Sequence, residues 1–286
     1  MPELPEVTAL VADLGRRLIG RETKRIDILS FSALKTFEIP VDALEGQKFG
    51  SASRHGKFLD LGIGDIHLIM HLARAGWIRW RDSAPQPSKA LGRGPLTARL
   101  VLDDGSGFDV TEYGTKKSLA IYLVHDAQEV PGIAKLGPEP LDPAFTRQTL
   151  ADILSRAGRA QIKGVLRNQS VVAGIGNAYS DEILHVAKMS PFKPASMQPA
   201  EVAHLYEAIQ TTLRDAIARA EGIDASELKA EKKSNLRVHG RNGLPCPVCG
   251  DIVRQVIFAD STLQYCPTCQ TGGKPLADRV LSRLLK

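Results

Sequence analysis

Apolar residues near the start of the chain recur at helical spacing. Val7, Leu10, Val11, Leu14 and Leu18 fall on one face, which predicts an amphipathic helix over about 3–18, with Gly20 to end it. From there to about residue 130 the pattern changes to short runs rich in β-branched and aromatic residues, at 25–29, 58–61, 78–80, 98–102 and 119–124. Turn signals such as Asp103-Asp104-Gly105-Ser106-Gly107 separate them, so this half is expected to form an antiparallel β-sandwich or barrel. The proline-, glycine- and serine-rich stretch 83–94 is expected to be a mobile loop. A second change of period follows a glycine- and proline-rich linker over 132–143. Helical spacing then recurs over 145–157, 162–169, 178–187 and 199–220, and in the last of these Val202, Leu205, Tyr206, Ile209, Leu213 and Ile217 form one stripe. The domain expectation is therefore 1–131, a linker, a helical domain over 144–236 and a separate C-terminal segment over 237–286.

The 286 residues suffice for two domains, and 43% hydrophobic residues is ordinary for a folded soluble protein. Apolar runs are short and broken by charge or histidine, as in Leu68-Ile69-Met70-His71-Leu72, and no charged, apolar and small-residue leader opens the chain. A cytoplasmic protein is expected. The net charge of +5 is unevenly placed, with Lys229, Lys232, Lys233, Arg237, His239 and Arg241 crowded into one segment and further bases at Lys193, Arg279, Arg283 and Lys286. Such a cluster is either a solvated face or, if other features agree, a nucleic-acid footprint.

Three short motifs carry chemistry. All four cysteines lie in Cys246-x2-Cys249 and Cys266-x2-Cys269, with sixteen residues between the pairs. That spacing fits a zinc ribbon, a hairpin clipped by one structural zinc; four thiolates leave the metal no open position for catalysis. In Val172-Ala173-Gly174-Ile175-Gly176-Asn177 two glycines and an asparagine stand between helices, either as a tight turn whose backbone N–H groups bind phosphate or as a structural turn. The opening Met1-Pro2-Glu3-Leu4-Pro5-Glu6 either starts a helix with prolines or, with Met1 removed, exposes a secondary amine. An α-amino group titrates at about 7.7–8.0, so at neutral pH part of it is free to attack a sugar aldehyde carbon. Glu3, one residue away, could donate a proton to the ring oxygen.

Taken in order along the chain, the hexapeptide with Val7, Gly56-Lys57, Ala173-Gly174-Ile175-Gly176-Asn177 with Tyr179 and Glu182, and the cysteine ribbon resemble the formamidopyrimidine-DNA glycosylase and endonuclease VIII family of base-excision repair enzymes. The resemblance implies an α+β protein: an N-terminal antiparallel β-sandwich with a leading helix, then a helix–two-turn–helix domain ending in the zinc ribbon. It implies a DNA glycosylase with abasic-site lyase activity, in which Pro2 is the Schiff-base nucleophile, Glu3 the acid on the deoxyribose, and Lys57 a phosphate contact assisting β-elimination. Lys163 and Asn177 would hold phosphates beside an extruded nucleotide. Glu6 and Glu182 match family positions where a carboxylate can orient the amine, although Glu182 could instead cap or pair within its helix. The implied partner is double-stranded DNA containing damaged bases or abasic sites, with no membrane. The chain is expected to act as a monomer, nucleoid-associated when bound to DNA.

Departures from the family pattern bear on lesion choice. Arg74, in His71-Leu72-Ala73-Arg74-Ala75-Gly76, stands where the family uses a methionine to fill the gap left by the flipped base. Glu112-Tyr113-Gly114-Thr115-Lys116-Lys117-Ser118 replaces a stretch carrying an arginine–phenylalanine wedge, and Ser261 replaces the arginine at the tip of the zinc hairpin. The segment 222–238 is shorter than the loop that caps 8-oxoguanine. Two functions stay open: an active glycosylase/lyase, favoured by Pro2, Glu3 and Lys57, and a binder of damaged or abasic DNA with little excision.

Overall fold

The computed structural model describes residues 1–84, 94–114, 116–259 and 261–277. Most of the expected 83–94 loop lies outside the described residues, as do Arg279, Arg283 and Lys286. The chain divides into two compact units, Met1–Leu136 with Ala220–Lys229, and Gly137–Arg219 with Ala230–Lys286.

The first unit opens on helix α1 (Leu4–Leu18), whose Leu4, Val7, Leu10, Leu14 and Leu18 are all buried. Among the described residues eight strands follow: β1 (Thr23–Ile28), β2 (Phe49–His55), β3 (Phe58–Ile63), β4 (Ile66–His71), β5 (Gly76–Arg81), β6 (Leu96–Leu102), β7 (Gly107–Glu112) and β8 (Ala120–Val124). They form two antiparallel sheets, in the orders β1-β6-β7-β5 and β2-β3-β4-β8, joined by one core to which both sheets and α1 contribute. Alternation sets the faces: Leu59, Leu61 and Ile63 of β3 enter the core, while Asp60 points the other way. The outward face of β4 is itself covered, because Ile69 packs with Val124, Ala127, Val130 and Ile133. That cover includes the short helix α2 (Pro131–Ala134), within the stretch expected to be a plain linker.

Ala220, Ala225 and Leu228 belong to the core of the first unit, and Trp77 Nε1 donates to the Ala225 carbonyl at 2.7 Å. The expected domain of 144–236 groups these residues with the helical half; burial of their apolar side chains in the core of the first unit accounts for the difference. On the same sheet as Trp77, Arg99 of β6 faces Asp109 of β7 across the strand pair. Its guanidinium donates two hydrogen bonds to that carboxylate, at 2.6 and 3.0 Å, and Arg81 Nε donates a third at 2.9 Å.

The second unit contains α3 (Arg147–Ala157), α4 (Ile162–Arg167), α5 (Asn177–Val186) and α6 (Pro199–Ala220), the last ending in the first unit. Helix α7 (Leu228–Asn235), whose first two residues belong to the first unit, hairpin β9 (Arg254–Ile257) and β10 (Thr262–Tyr265), and α8 (Pro267–Thr271) follow. Among the described residues no helix is long and apolar enough to cross a membrane.

Candidate active site and zinc centre

The first turn of α1 fixes the N-terminal residues. Glu3 is the N-cap, and Glu6 Oε2 accepts from the Glu3 backbone N–H at 2.8 Å, one half of a reciprocal capping box. Both residues are 2% exposed, and Pro2 is buried beside the exposed Met1. Glu6 thus acts on the backbone next to Pro2, and this locks the direction in which the first two residues leave the helix.

Lys57 lies in the same unit, in the two-residue turn Gly56-Lys57 between β2 and β3. Gly56 has φ 54°, which a tight hairpin turn requires at its first central position and which glycine adopts without strain. Arg54 Nη1 donates to the Gly56 carbonyl at 2.7 Å. Behind the turn a buried carboxylate ties the strands together. His55 Nε2 lies 2.9 Å from Asp60 Oδ2 and His67 Nδ1 lies 2.8 Å from Asp60 Oδ1, so each imidazole can donate one N–H. Burial alone would push Asp60 up, but these two donors hold it below the usual carboxylate range. Lys57 is 6% exposed. Burial and the Lys57 ammonium together push His71 down to about 4, so His71, whose ring packs against Phe58 at 4.7 Å, is neutral.

Arg74 stands exposed in the β4–β5 connection. The turn is tight: Ala73 is left-handed at φ 48°, Gly76 N donates to the Leu72 carbonyl at 2.8 Å, and a Cβ on Gly76 would meet that oxygen at 2.1 Å. In the β7–β8 connection, Glu112 Oε1 accepts from the backbone of Ser118 and Leu119, and Lys117 Nζ donates to the Glu112 carbonyl. Tyr113, 45% exposed, packs under the Arg79 guanidinium at 5.5 Å.

In the second unit the glycine-rich turn is stitched by Gln169. Its Nε2 donates to the Arg167 and Ile175 carbonyls and its Oε1 accepts from Gly174 N. That use of Gly174 N, and the burial of 172–176, leave the turn less open than its composition implies. Asn177 opens α5 and its Nδ2 donates to the Thr262 carbonyl at 2.8 Å. Lys163, expected on a phosphate, is buried: its Nζ lies 2.6 Å from Asp181 Oδ1 and donates also to Ser180 Oγ and the Asn177 carbonyl. Asp181 is itself 0% exposed, and a carboxylate held away from water draws the ammonium inward as its counter-charge.

Glu182 likewise has a task inside this unit. Its carboxylate accepts from three successive backbone N–H groups, those of Arg237 at 2.7 Å and of Val238 and His239 at 2.9 Å. Burial pushes its pKa up against the pull of these donors. Asp181 Oδ2 accepts from Gln264 N at 3.2 Å and lies 2.7 Å from His239 Nδ1. Adjacent carboxylates on α5 therefore hold both the segment entering the zinc ribbon and strand β10. Sequence reasoning missed Asp181, Gln169 and the His55–Asp60–His67 group, and placed His239 only in a basic cluster; the Asp181-Glu182 pair within a buried helix was the available signal for the first.

The four cysteine sulfurs lie within 4.8 Å of one another, with Cys246–Cys269 at 3.9 Å and Cys249–Cys266 at 3.4 Å. Zinc–sulfur bonds of about 2.3 Å in a tetrahedron place sulfurs about 3.8 Å apart, so the set fits one zinc ion. Burial pushes the Cys266 thiol up to about 11 and Cys269 higher still. A bound dication reverses that by stabilising the thiolates. Zinc here is structural, and the protein binds one ion at this site.

Comparison with known proteins agrees with this geometry. The formamidopyrimidine-DNA glycosylase N-terminal domain matches residues 1–113, that family's H2TH domain matches 136–227, and a zinc finger found in FPG and IleRS matches 243–272. The formamidopyrimidine-DNA glycosylase of Symbiobacterium thermophilum is 36% identical over 282 residues, covering 94% of this chain and 89% of the relative. An uncharacterized formamidopyrimidine-DNA glycosylase-like protein of Mycobacterium tuberculosis is 58% identical over 152 residues, 53% of this chain and 94% of that one. Among solved structures, Lactococcus lactis Fpg in complex with abasic-site DNA aligns with TM-score 0.82 at 27% identity, covering 94% of this chain and 99% of its own.

Proposed function

Because the chain belongs to the formamidopyrimidine-DNA glycosylase family, we propose that it excises damaged bases from double-stranded DNA and cleaves the resulting abasic site through Pro2. The observation that carries this reading is the buried capping box of Glu3 and Glu6, which fixes Pro2 at the head of α1 in the same unit as Lys57. Removal of Met1 converts the Pro2 nitrogen from an amide to a secondary amine. The amine attacks the sugar C1′, the bond to the base breaks, and Glu3 protonates the ring oxygen as the ring opens. A secondary amine yields a cationic iminium with no neutral imine form, so it withdraws electrons from C2′. Loss of the C2′ proton then expels the 3′-phosphate, and water releases Pro2 from the unsaturated sugar. Lys57 contacts phosphate and assists the proton transfer.

Asn177 holds a flanking phosphate. Lys163 serves it by position, since its ammonium fixes the Asn177 carbonyl and Asp181. Arg74, presented by the tight β4–β5 turn, enters the gap left by the extruded nucleotide; unstacking costs a few kcal/mol, which inserted side chains and bound phosphates offset. Phosphate contacts carry no sequence preference, as scanning requires. The protein works as a monomer, at the nucleoid.

A second reading, binding of damaged or abasic DNA with little excision, is favoured by the zinc hairpin: its tip carries exposed Phe258 and half-buried Ser261, where the family has a cation. An abasic duplex labelled at one end separates the two. The proposed activity gives a nicked product ending in the unsaturated sugar; a retarded but uncut duplex supports the second reading.

A further inference from the structure

His185 has no part in the roles assigned so far. It lies on the last turn of α5, is 3% exposed, and places Nε2 3.3 Å from Cys246 Sγ. Its Nδ1 is buried with no hydrogen-bond partner among the described residues. A neutral imidazole carries one ring proton. Were that proton on Nδ1, a buried N–H would face no acceptor while the Nε2 lone pair faced the lone pairs of sulfur. With the proton on Nε2 it is donated to the sulfur, and only an acceptor is left unmet, the smaller cost.

The zinc centre supplies a reason for such a donor. Four thiolates and one dication sum to a charge of −2 (four times −1, plus 2), and Cys246 and Cys266 are buried with Val238 and Val253 in an apolar cluster. Charge in such surroundings needs hydrogen-bond donors. Cys266 Sγ accepts from the backbone N–H of Cys269 at 3.5 Å. We propose that His185 is a positioning residue of the zinc centre, whose Nε2–H donates to the Cys246 thiolate, orients it toward the metal and draws off part of its charge. Spacing agrees, because Asp181 and His185 are four residues apart on one face of α5. The first holds β10 and His239, and the second holds a zinc ligand, so one helix face anchors both the backbone and the metal of the ribbon.

The test uses the zinc-loaded full chain and two variants, His185→Phe and His185→Gln. Removing an outer hydrogen bond to a ligand costs about ten- to a hundredfold in metal affinity. Competition against a chromogenic chelator should show that loss for the phenylalanine variant and partial recovery for glutamine, which can still donate an N–H. In the cobalt-substituted protein the sulfur-to-metal charge-transfer band should shift for phenylalanine and return toward the parent position for glutamine. Unchanged affinity with an unshifted band in the phenylalanine variant would overturn the proposal. A readout on the unmutated chain guards against a variant that fails to fold: with a magnetic cadmium isotope in the site, the His185 ring proton should sit on Nε2 and couple to the metal. A proton on Nδ1, or on Nε2 without coupling, contradicts it.

Discussion

Replacing Asp181 by alanine should strongly destabilise the second unit. The carboxylate is 0% exposed and balances the Lys163 ammonium, whose side chain is 6% exposed, at 2.6 Å. It also accepts from Gln264 N and lies against His239. Removing one partner of a buried pair costs about 3–5 kcal/mol, because the remaining charge keeps its desolvation cost without the attraction that offset it. The orphaned Gln264 N–H adds about 1–3 kcal/mol where water cannot reach it. These terms overlap, so about 3–5 kcal/mol is the expected total, a large share of a typical stability of about 5–15 kcal/mol. Two units can unfold in separate steps, so the assay is a urea titration followed by zinc release, which reports on the unit containing the ribbon. A double variant, Lys163→Met with Asp181→Leu, removes both charges and should recover much of the loss. A shift below about 1 kcal/mol for Asp181→Ala, or a double variant no better than the single one, would refute the assignment of this pair as the anchor of β10.

Zinc removal by a chelator, or Cys249→Ala, should lower the urea resistance of the second unit and DNA affinity together, since structural zinc contributes folding free energy; unchanged DNA binding by metal-free protein would count against it. Asp109→Asn should cost about 3–5 kcal/mol at neutral pH by taking from buried Arg99 the counter-charge at its guanidinium. Burial would push Asp109 up, but the bonds from Arg99 and Arg81 hold its folded pKa below the ordinary value. Its contribution is therefore complete above the unfolded value of about 3.9 and is lost as pH falls through the lower folded value. Stability curves of parent and variant should converge in that acid range, and curves that stay parallel would show the sign to be wrong. On the family resemblance's reading of 222–238 as shorter than the capping loop and of Ser261 as standing in for the hairpin cation, 8-oxoguanine opposite cytosine should be excised poorly beside clear cleavage of abasic DNA, with the β-elimination product accumulating. Equal cleavage of the two duplexes on one gel would defeat that reasoning.

The parts of this molecule that were legible in its sequence are those whose cause is local. Helix α6 runs over 199–220, where its apolar stripe placed it, and the cysteine spacing identified the zinc site because each pair sits in one knuckle. Strand β4 was harder to read because both faces are covered, so Ile66–His71 lacks the alternation of a half-buried strand. Partnerships across the chain left no local trace. Lys163 reads as a surface base until Asp181 is seen beside it, and Asp181 reaches Gln264 and His239 only because the ribbon docks on α5. The stretch Ala220–Lys229 falls inside the expected helical domain of 144–236, yet its burial with Trp77 and the strands depends on residues far away in sequence.

The central claim is that Pro2 is the nucleophile, and borohydride trapping on an abasic duplex tests it most directly. The full chain is incubated with the duplex, reduced, digested and the crosslinked peptide sequenced. The account predicts a stable adduct on the nitrogen of Pro2 in a peptide that has lost Met1. An adduct on an internal lysine with Pro2 unmodified, or bound abasic duplex that yields no adduct, would contradict it.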